Sequence, residues 1–181
     1  MQEIYLSSPK PGPWRLVVMG VSGCGKSSMG AALARALGLP LVEGDDFHSP
    51  ESVSKMRAGT PLTDADRAGW LDRLGQELAA HAGDGVVLSC SALKRDYRDR
   101  LRVAAPGLRF IFMELTREEA ERRVAGRSAH FFATSLVENQ FATLESPVGE
   151  PGVLAVDATA PIEPLVAQVQ AWLNAETPAG R

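Results

Sequence analysis

Gly20-Val21-Ser22-Gly23-Cys24-Gly25-Lys26-Ser27 is a complete G-x-x-x-x-G-K-[ST] phosphate-binding loop. The backbone N–H groups of such a Gly-rich turn converge and cradle the phosphates of a nucleotide. Lys26 then reaches the β- and γ-phosphates, and the Ser27 hydroxyl is placed to ligate Mg2+. Val21, Ser22, Cys24 and Ser28 complete the predicted nucleotide-contacting stretch; at Cys24 only the backbone is needed. The flanks agree with this reading. Trp14 to Met19 is a short apolar run that reads as a buried strand. Ser28 to Leu37 carries Met29, Ala32, Leu33 and Leu37 on one face and reads as the helix whose N-terminus faces the anion.

Outward from the loop, strand-like and helical stretches alternate. Pro40-Leu41-Val42 predicts a second strand, and Pro50 to Arg57 a helix stopped by Gly59 and Pro61. Thr63 caps the next helix, with Asp64 and Asp66 at its positive end and Trp70, Leu71, Leu74 and Leu78 at helical spacing. Val86 to Cys90 reads as a strand buried on both faces, Leu93 to Val103 as a basic helix, and Leu108 to Leu115 as a further strand. Thr116 and Glu119 form a capping-box pattern before the following helix. A helix over 135–144, a strand over 153–157 and an amphipathic helix over 161–174 complete the series. Strands separated by helices predict an α/β, doubly wound, five-stranded parallel sheet with helices on both faces. Residues 14–175 form one domain in this reading, residues 1–13 and 176–181 are tails, and about 126–134 is a small mobile lid.

A chain of 181 residues is large enough to bury a sizeable core. Its net charge of −3 gives no basic footprint for nucleic acid, and no apolar run reaches membrane-spanning length. Met1 to Pro13 lacks the order of a signal peptide. The two cysteines, Cys24 and Cys90, are too few for a disulfide scaffold and fit a reducing cytoplasm. His48, His81 and His130 lack metal-ligand spacing.

Ligands of such sheets bind beyond the carboxyl ends of the strands, so the residues after each strand carry the chemistry. Glu43, Asp45 and Asp46 follow the second strand. Phosphoryl transfer needs one carboxylate to take the acceptor hydroxyl's proton and another to help hold Mg2+, usually through water. The same acids also read as caps of the helix near Pro50, Asp46 more so than Asp45. After the third strand, Lys94, Arg95 and Arg98 crowd the start of a helix, against its dipole, and an anionic ligand would remove that conflict. Arg122, Arg123 and Arg127 lead into Ser128-Ala129-His130-Phe131-Phe132, a basic segment placed to close over ATP phosphates.

Together these residues resemble the small P-loop gluconokinases, relatives of shikimate kinase, from Val17 to about Val169. The resemblance rests on the phosphate loop, on Gly44-Asp45-Asp46-Phe47-His48-Ser49-Pro50, and above all on Lys55 to Leu71. Cys90 to Lys94 with Tyr97-Arg98, Gly126-Arg127 with His130-Phe131-Phe132, and Gln140 to Glu145 complete it. It implies ATP-dependent, Mg2+-requiring phosphorylation of D-gluconate at its 6-hydroxyl, by a cytoplasmic homodimer. On this resemblance Lys26, Asp45 and Arg127 are the catalytic residues, with Asp45 the base. Gly20, Gly23 and Gly25 hold phosphates, and Arg123 packs against adenine. Asp45, His48, Lys55, Lys94, Arg98 and His130 are the candidates for gluconate. Ser27, with Glu43 or Asp45 through water, holds the metal. Glu43 stands where the family has aspartate, and Ser128-Ala129 where Lys-Gly is common. The competing readings are another small-molecule kinase of this fold, for shikimate or a nucleotide, and a nucleotide-binding switch without turnover.

Overall fold

The computed structural model describes residues 13–126 and 134–176. Its centre is β1 (Arg15–Met19), flanked in a parallel sheet by β3 (Val86–Ser89) and β4 (Arg109–Glu114). Outside these lie β2 (Leu41–Glu43) and β5 (Val153–Asp157), giving the order β2-β3-β1-β4-β5. The expected five-stranded parallel sheet is therefore present. Register sets Val18 beside both Ser89 and Ile111, so β3 ends one residue before β1 and β4 runs two residues past it.

Alternation along β1 builds the two faces. Leu16 and Val18 enter an apolar layer with Met29 and Leu33 of α1 (Lys26–Leu37) and Leu165, Val169 and Leu173 of α7 (Ile162–Glu176). Ala120 and Val124 of α5 (Arg117–Ala125) and Val137 of α6 (Thr134–Thr143) join them. Val17 and Met19 enter the opposite layer, with Trp70, Leu71, Leu74 and Leu78 of α3 (Asp64–Ala80) and Tyr97 and Leu101 of α4 (Arg95–Ala104). Cys24 belongs to the first layer and Cys90 to the second.

Local chemistry sets the helix ends. Gly25 adopts φ +91°, a left-handed conformation, so α1 begins at Lys26, earlier than the expected Ser28. A short α2 (Pro50–Arg57) starts with proline in its first turn, and the Ser49 hydroxyl accepts the Ser52 N–H. At α3 the Thr63 hydroxyl accepts the Asp66 N–H while the Asp66 carboxylate accepts the Thr63 N–H, a full capping box. The box expected at Thr116 and Glu119 forms only in half. The Thr116 hydroxyl caps α5, but the Glu119 carboxylate turns to Arg122 and Arg123.

Candidate functional site

The phosphate loop joins β1 to α1 in the middle of the sheet. Gly20, at φ +146°, sits where a Cβ would lie 2.8 Å from Cys24 Sγ and 3.0 Å from the Met113 carbonyl oxygen. Lys26 Nζ donates to the Gly20 and Val21 carbonyls at 3.0 and 3.1 Å, drawing the loop into a ring. The Ser22 N–H donates to Gln140 Oε1 of α6 at 2.6 Å. Sequence reasoning places Gln140 in the resemblance but gives it no role. Its signal was a polar side chain on an otherwise packed helix, and it is buried.

Beyond β2 the chain enters a 3-10 turn, Gly44–Phe47, that presents Asp45. A Cβ on Gly44 would stand 2.5 Å from the Ser89 carbonyl oxygen, so the turn presses directly on the end of β3. Trp70 Nε1 donates to the Gly44 carbonyl at 2.7 Å, and Arg73 donates to that of Phe47 at 2.8 and 3.0 Å. Helix α3 therefore fixes where Asp45 points. His48 stacks on Trp70 with ring centroids 4.3 Å apart, and its Nε2 lies 3.6 Å from Asp45 Oδ1. Burial raises the pKa of the Asp45 carboxyl, but His48, Lys26 and Arg67 together outweigh it and hold the group below its ordinary value. Asp45 is thus a carboxylate at neutral pH.

Between these parts, Ser27 Oγ donates to Glu43 Oε2 at 3.0 Å. Mg2+ takes oxygen donors, keeps several waters and is commonly held by one or two carboxylates together with substrate phosphates. A hydroxyl and a carboxylate side by side at the phosphate loop fit that requirement. On the other side of the loop, Gly23, Gly25, Ser28, Arg123, Ala158 and Leu165 line part of a cavity of about 480 Å3. Arg123 spans it, donating to the Gly23 carbonyl at 3.2 Å and the Ala158 carbonyl at 3.3 Å, with its Nε held by Glu119 at 2.8 Å. A guanidinium plane fixed among small apolar residues is the surface an aromatic base stacks on.

Arg98 does not reach the acceptor side. Its side chain is fully buried, and its Nε and Nη2 pair with Glu150 at 3.0 and 2.6 Å. The remaining N–H groups donate to the carbonyls of Ala92, Leu93 and Glu145 at 2.8–3.0 Å. Every donor of the fork is used, which corrects the expectation that Arg98 binds substrate. The crowded basic start of α4 is likewise resolved from within the protein. Glu145 Oε2 accepts the Arg95 N–H at 2.9 Å, and Lys94 Nζ pairs with Asp64 at 3.0 Å. Lys55 Nζ pairs with Asp66 at 2.8 Å. Tyr97 donates to Asp64, and burial with that bond raises its pKa, keeping the phenol neutral. Cys90 is pushed up to about 12 by burial and is an inert thiol. Arg127, His130 and the expected lid fall outside the described residues, apart from Gly126 at one end and Thr134 at the other.

Residues 16–151 match the family described as AAA domain. The chain is 45% identical to a gluconokinase of Gluconobacter oxydans over 80% of its length and 82% of the relative's. It is 40% identical to the thermoresistant gluconokinase of Escherichia coli over 83% and 88% of the two chains. A solved gluconokinase of Sinorhizobium meliloti superposes with a TM-score of 0.84 at 46% identity, covering 93% of this chain and 95% of that one. A sugar kinase of Janibacter superposes with a TM-score of 0.85 at 37% identity, covering 93% and 99%. With this likeness running through phosphate loop, acceptor-side turn and sheet alike, the chain belongs to the gluconokinase family of P-loop kinases.

Proposed function

We propose that this enzyme transfers the γ-phosphoryl group of ATP to the 6-hydroxyl of D-gluconate, giving 6-phosphogluconate. The observation that carries the reading is the meeting of the phosphate loop with the acceptor-side turn, where Ser27 Oγ donates to Glu43 Oε2 at 3.0 Å and Asp45 follows two residues on. Gly23, Gly25 and Lys26 bind the phosphates, and the fixed plane of Arg123 packs against the base. Ser27, with Glu43 or Asp45 through water, would hold Mg2+. Bound Mg-ATP supplies the phosphoryl group and offsets part of its charge. Asp45 orients the acceptor hydroxyl for in-line attack and accepts its proton, while His48 steadies the Asp45 carboxylate. Lys26 and Arg127 stabilise charge that builds on the transferring group. Lys55, Lys94 and His130 are the candidates to bind the acceptor, the two lysines exchanging Asp66 and Asp64 for substrate hydroxyls.

We extend to this chain the cytoplasmic homodimer that the resemblance implies. Among the described residues no helix is long and apolar enough to cross a membrane. The deciding experiment is coupled ADP release with Mg-ATP and D-gluconate, run beside shikimate and a nucleoside monophosphate. Gluconate-dependent turnover is expected. Turnover only with another acceptor overturns the substrate, and ATP binding with silence toward all three overturns the enzyme. Omitting Mg2+ is expected to abolish turnover, and size-exclusion chromatography with light scattering tests the dimer.

A further inference from the structure

Arg67 stands apart from the other charged residues of the cleft. It lies in the first turn of α3, only 8% exposed, with its guanidinium carbon 5.7 Å from the centre of the Tyr97 ring. Among the described residues no carboxylate pairs with its side chain and no carbonyl accepts from it. Nearby acids are committed elsewhere: Asp64 to Lys94 and Tyr97, Asp66 to Lys55 and Thr63, and Asp45 to His48. Residues 127–133, Arg-Ser-Ala-His-Phe-Phe-Ala, contain no carboxylate that could serve. Arg98, fully buried, is by contrast matched at every donor. A guanidinium in a mostly buried side chain, with no carboxylate or carbonyl on its donors, keeps its fork free for a ligand that supplies the counter-charge.

The position of Arg67 names the kind of ligand. It lies over the Tyr97 ring in the first turn of α3, the helix bonded through Trp70 and Arg73 to the turn bearing Asp45, and so stands on the acceptor side of the cleft. It also lines a cavity of about 20 Å3 with Thr60, Leu62, Leu136, Asn139 and Gln140. The lining sets two amides and a hydroxyl beside the guanidinium. We infer that Arg67 binds the carboxylate of the acceptor, so that the two ends of the sugar acid are read separately, the hydroxyl by Asp45 and the carboxylate by Arg67. This rests on the kinase reading above and takes the place the sequence gives to Arg98. A planar fork suits a carboxylate in a way that lysine does not.

The test compares D-gluconate with sorbitol, which carries a hydroxymethyl group in place of the carboxylate, in the wild type, Arg67→Met and Arg67→Lys. Arg67→Met is expected to lower kcat/KM for gluconate by roughly 100-fold or more, mainly through KM, since truncating a partner of a buried charge pair has an effect of that order. Turnover of sorbitol is expected to fall far less than that of gluconate, and affinity for ATP to stay within about threefold. Arg67→Lys is expected to fall between. Without ligand, Arg67→Met is expected to melt no lower than the wild type, because it removes a buried charge and no partner. Gluconate is expected to raise the melting temperature of the wild type and not of Arg67→Met. A parallel fall for gluconate and sorbitol, an unchanged KM, or a gluconate-induced shift that survives in Arg67→Met would overturn the inference. A lower melting temperature with weakened ATP binding would instead make Arg67 a structural residue. The thermal shift needs no turnover, so it separates failure of this inference from failure of the kinase reading, which the ADP-release assay reports by itself.

Discussion

Asp45 owes its ionisation to what surrounds it. Burial alone would favour the neutral acid, yet His48 and the charges of Lys26 and Arg67 hold the carboxyl below its ordinary value. A carboxyl whose pKa is depressed is base-competent above that pKa and fails only as pH falls through it. The acid limb of kcat/KM is therefore expected below about pH 4, the unperturbed value for aspartate, and a pH–rate profile measures it. His48→Asn should move the limb upward. Asp45→Asn is expected to lower kcat by about 10²- to 10⁴-fold with ATP affinity retained, and near-normal turnover would remove Asp45 from the role of base. At this scale legibility follows distance along the chain. Gly20 to Ser27 are contiguous, so one motif shows them together. Arg98 is misread from sequence because its partner Glu150 lies 52 residues away, and charge without partner looks like a ligand site. Arg67 is overlooked for the opposite reason. Between Asp64, Asp66 and Arg73 it reads as one more charge on a helix surface, and only burial singles it out.

Helix α3 is the element on which the acceptor side hangs, through Trp70 and Arg73 at the turn bearing Asp45. Its N-terminus depends on Asp66, whose pKa is lowered to about 2, first by Lys55 and then by Thr63. A depressed carboxyl adds stability that is complete above its unfolded value, near 4, and is lost as pH falls toward 2. Asp66→Asn is accordingly expected to lower the urea midpoint at pH 7 and to flatten its decline between about pH 4 and 2. Wild-type and variant midpoints that run parallel through that window would refute the linkage. Helix α4 makes the complementary case. Arg98→Met leaves the buried Glu150 with Arg102 alone and strips the carbonyls of Ala92, Leu93 and Glu145 of their donor, and a loss of about 3–5 kcal/mol in urea unfolding is expected. A substrate role with no structural one would leave the midpoint in place. Element types are readable in the sequence because periodicity and capping residues are local, as at Thr63 and Leu71. Starts are less so: α1 opens at Lys26 because Gly25 turns left-handed, which spacing alone does not reveal.

Over the whole molecule, five parallel strands separate two apolar layers that share the alternating side chains of β1. The parallel, doubly wound class was legible, since each strand is followed by a helix. The order β2-β3-β1-β4-β5 was not, because it depends on which helix covers which face. Leu33 and Leu74 are both fully buried, one in each layer. Leu33→Ala and Leu74→Ala are each expected to cost about 2–5 kcal/mol. Coupling through the sheet predicts one cooperative urea transition in either variant; two separated transitions in fluorescence and circular dichroism would show that the layers unfold independently. The cysteines extend this point to a practical end. Cys24 is 1% exposed in the first layer and Cys90 2% exposed in the second, neither of them disulfide-bonded. Each half of the interior thus carries its own built-in chemical clock. The speed at which an alkylating reagent marks each sulfur, resolved by peptide mass, records how often that half opens to solvent, without any introduced label.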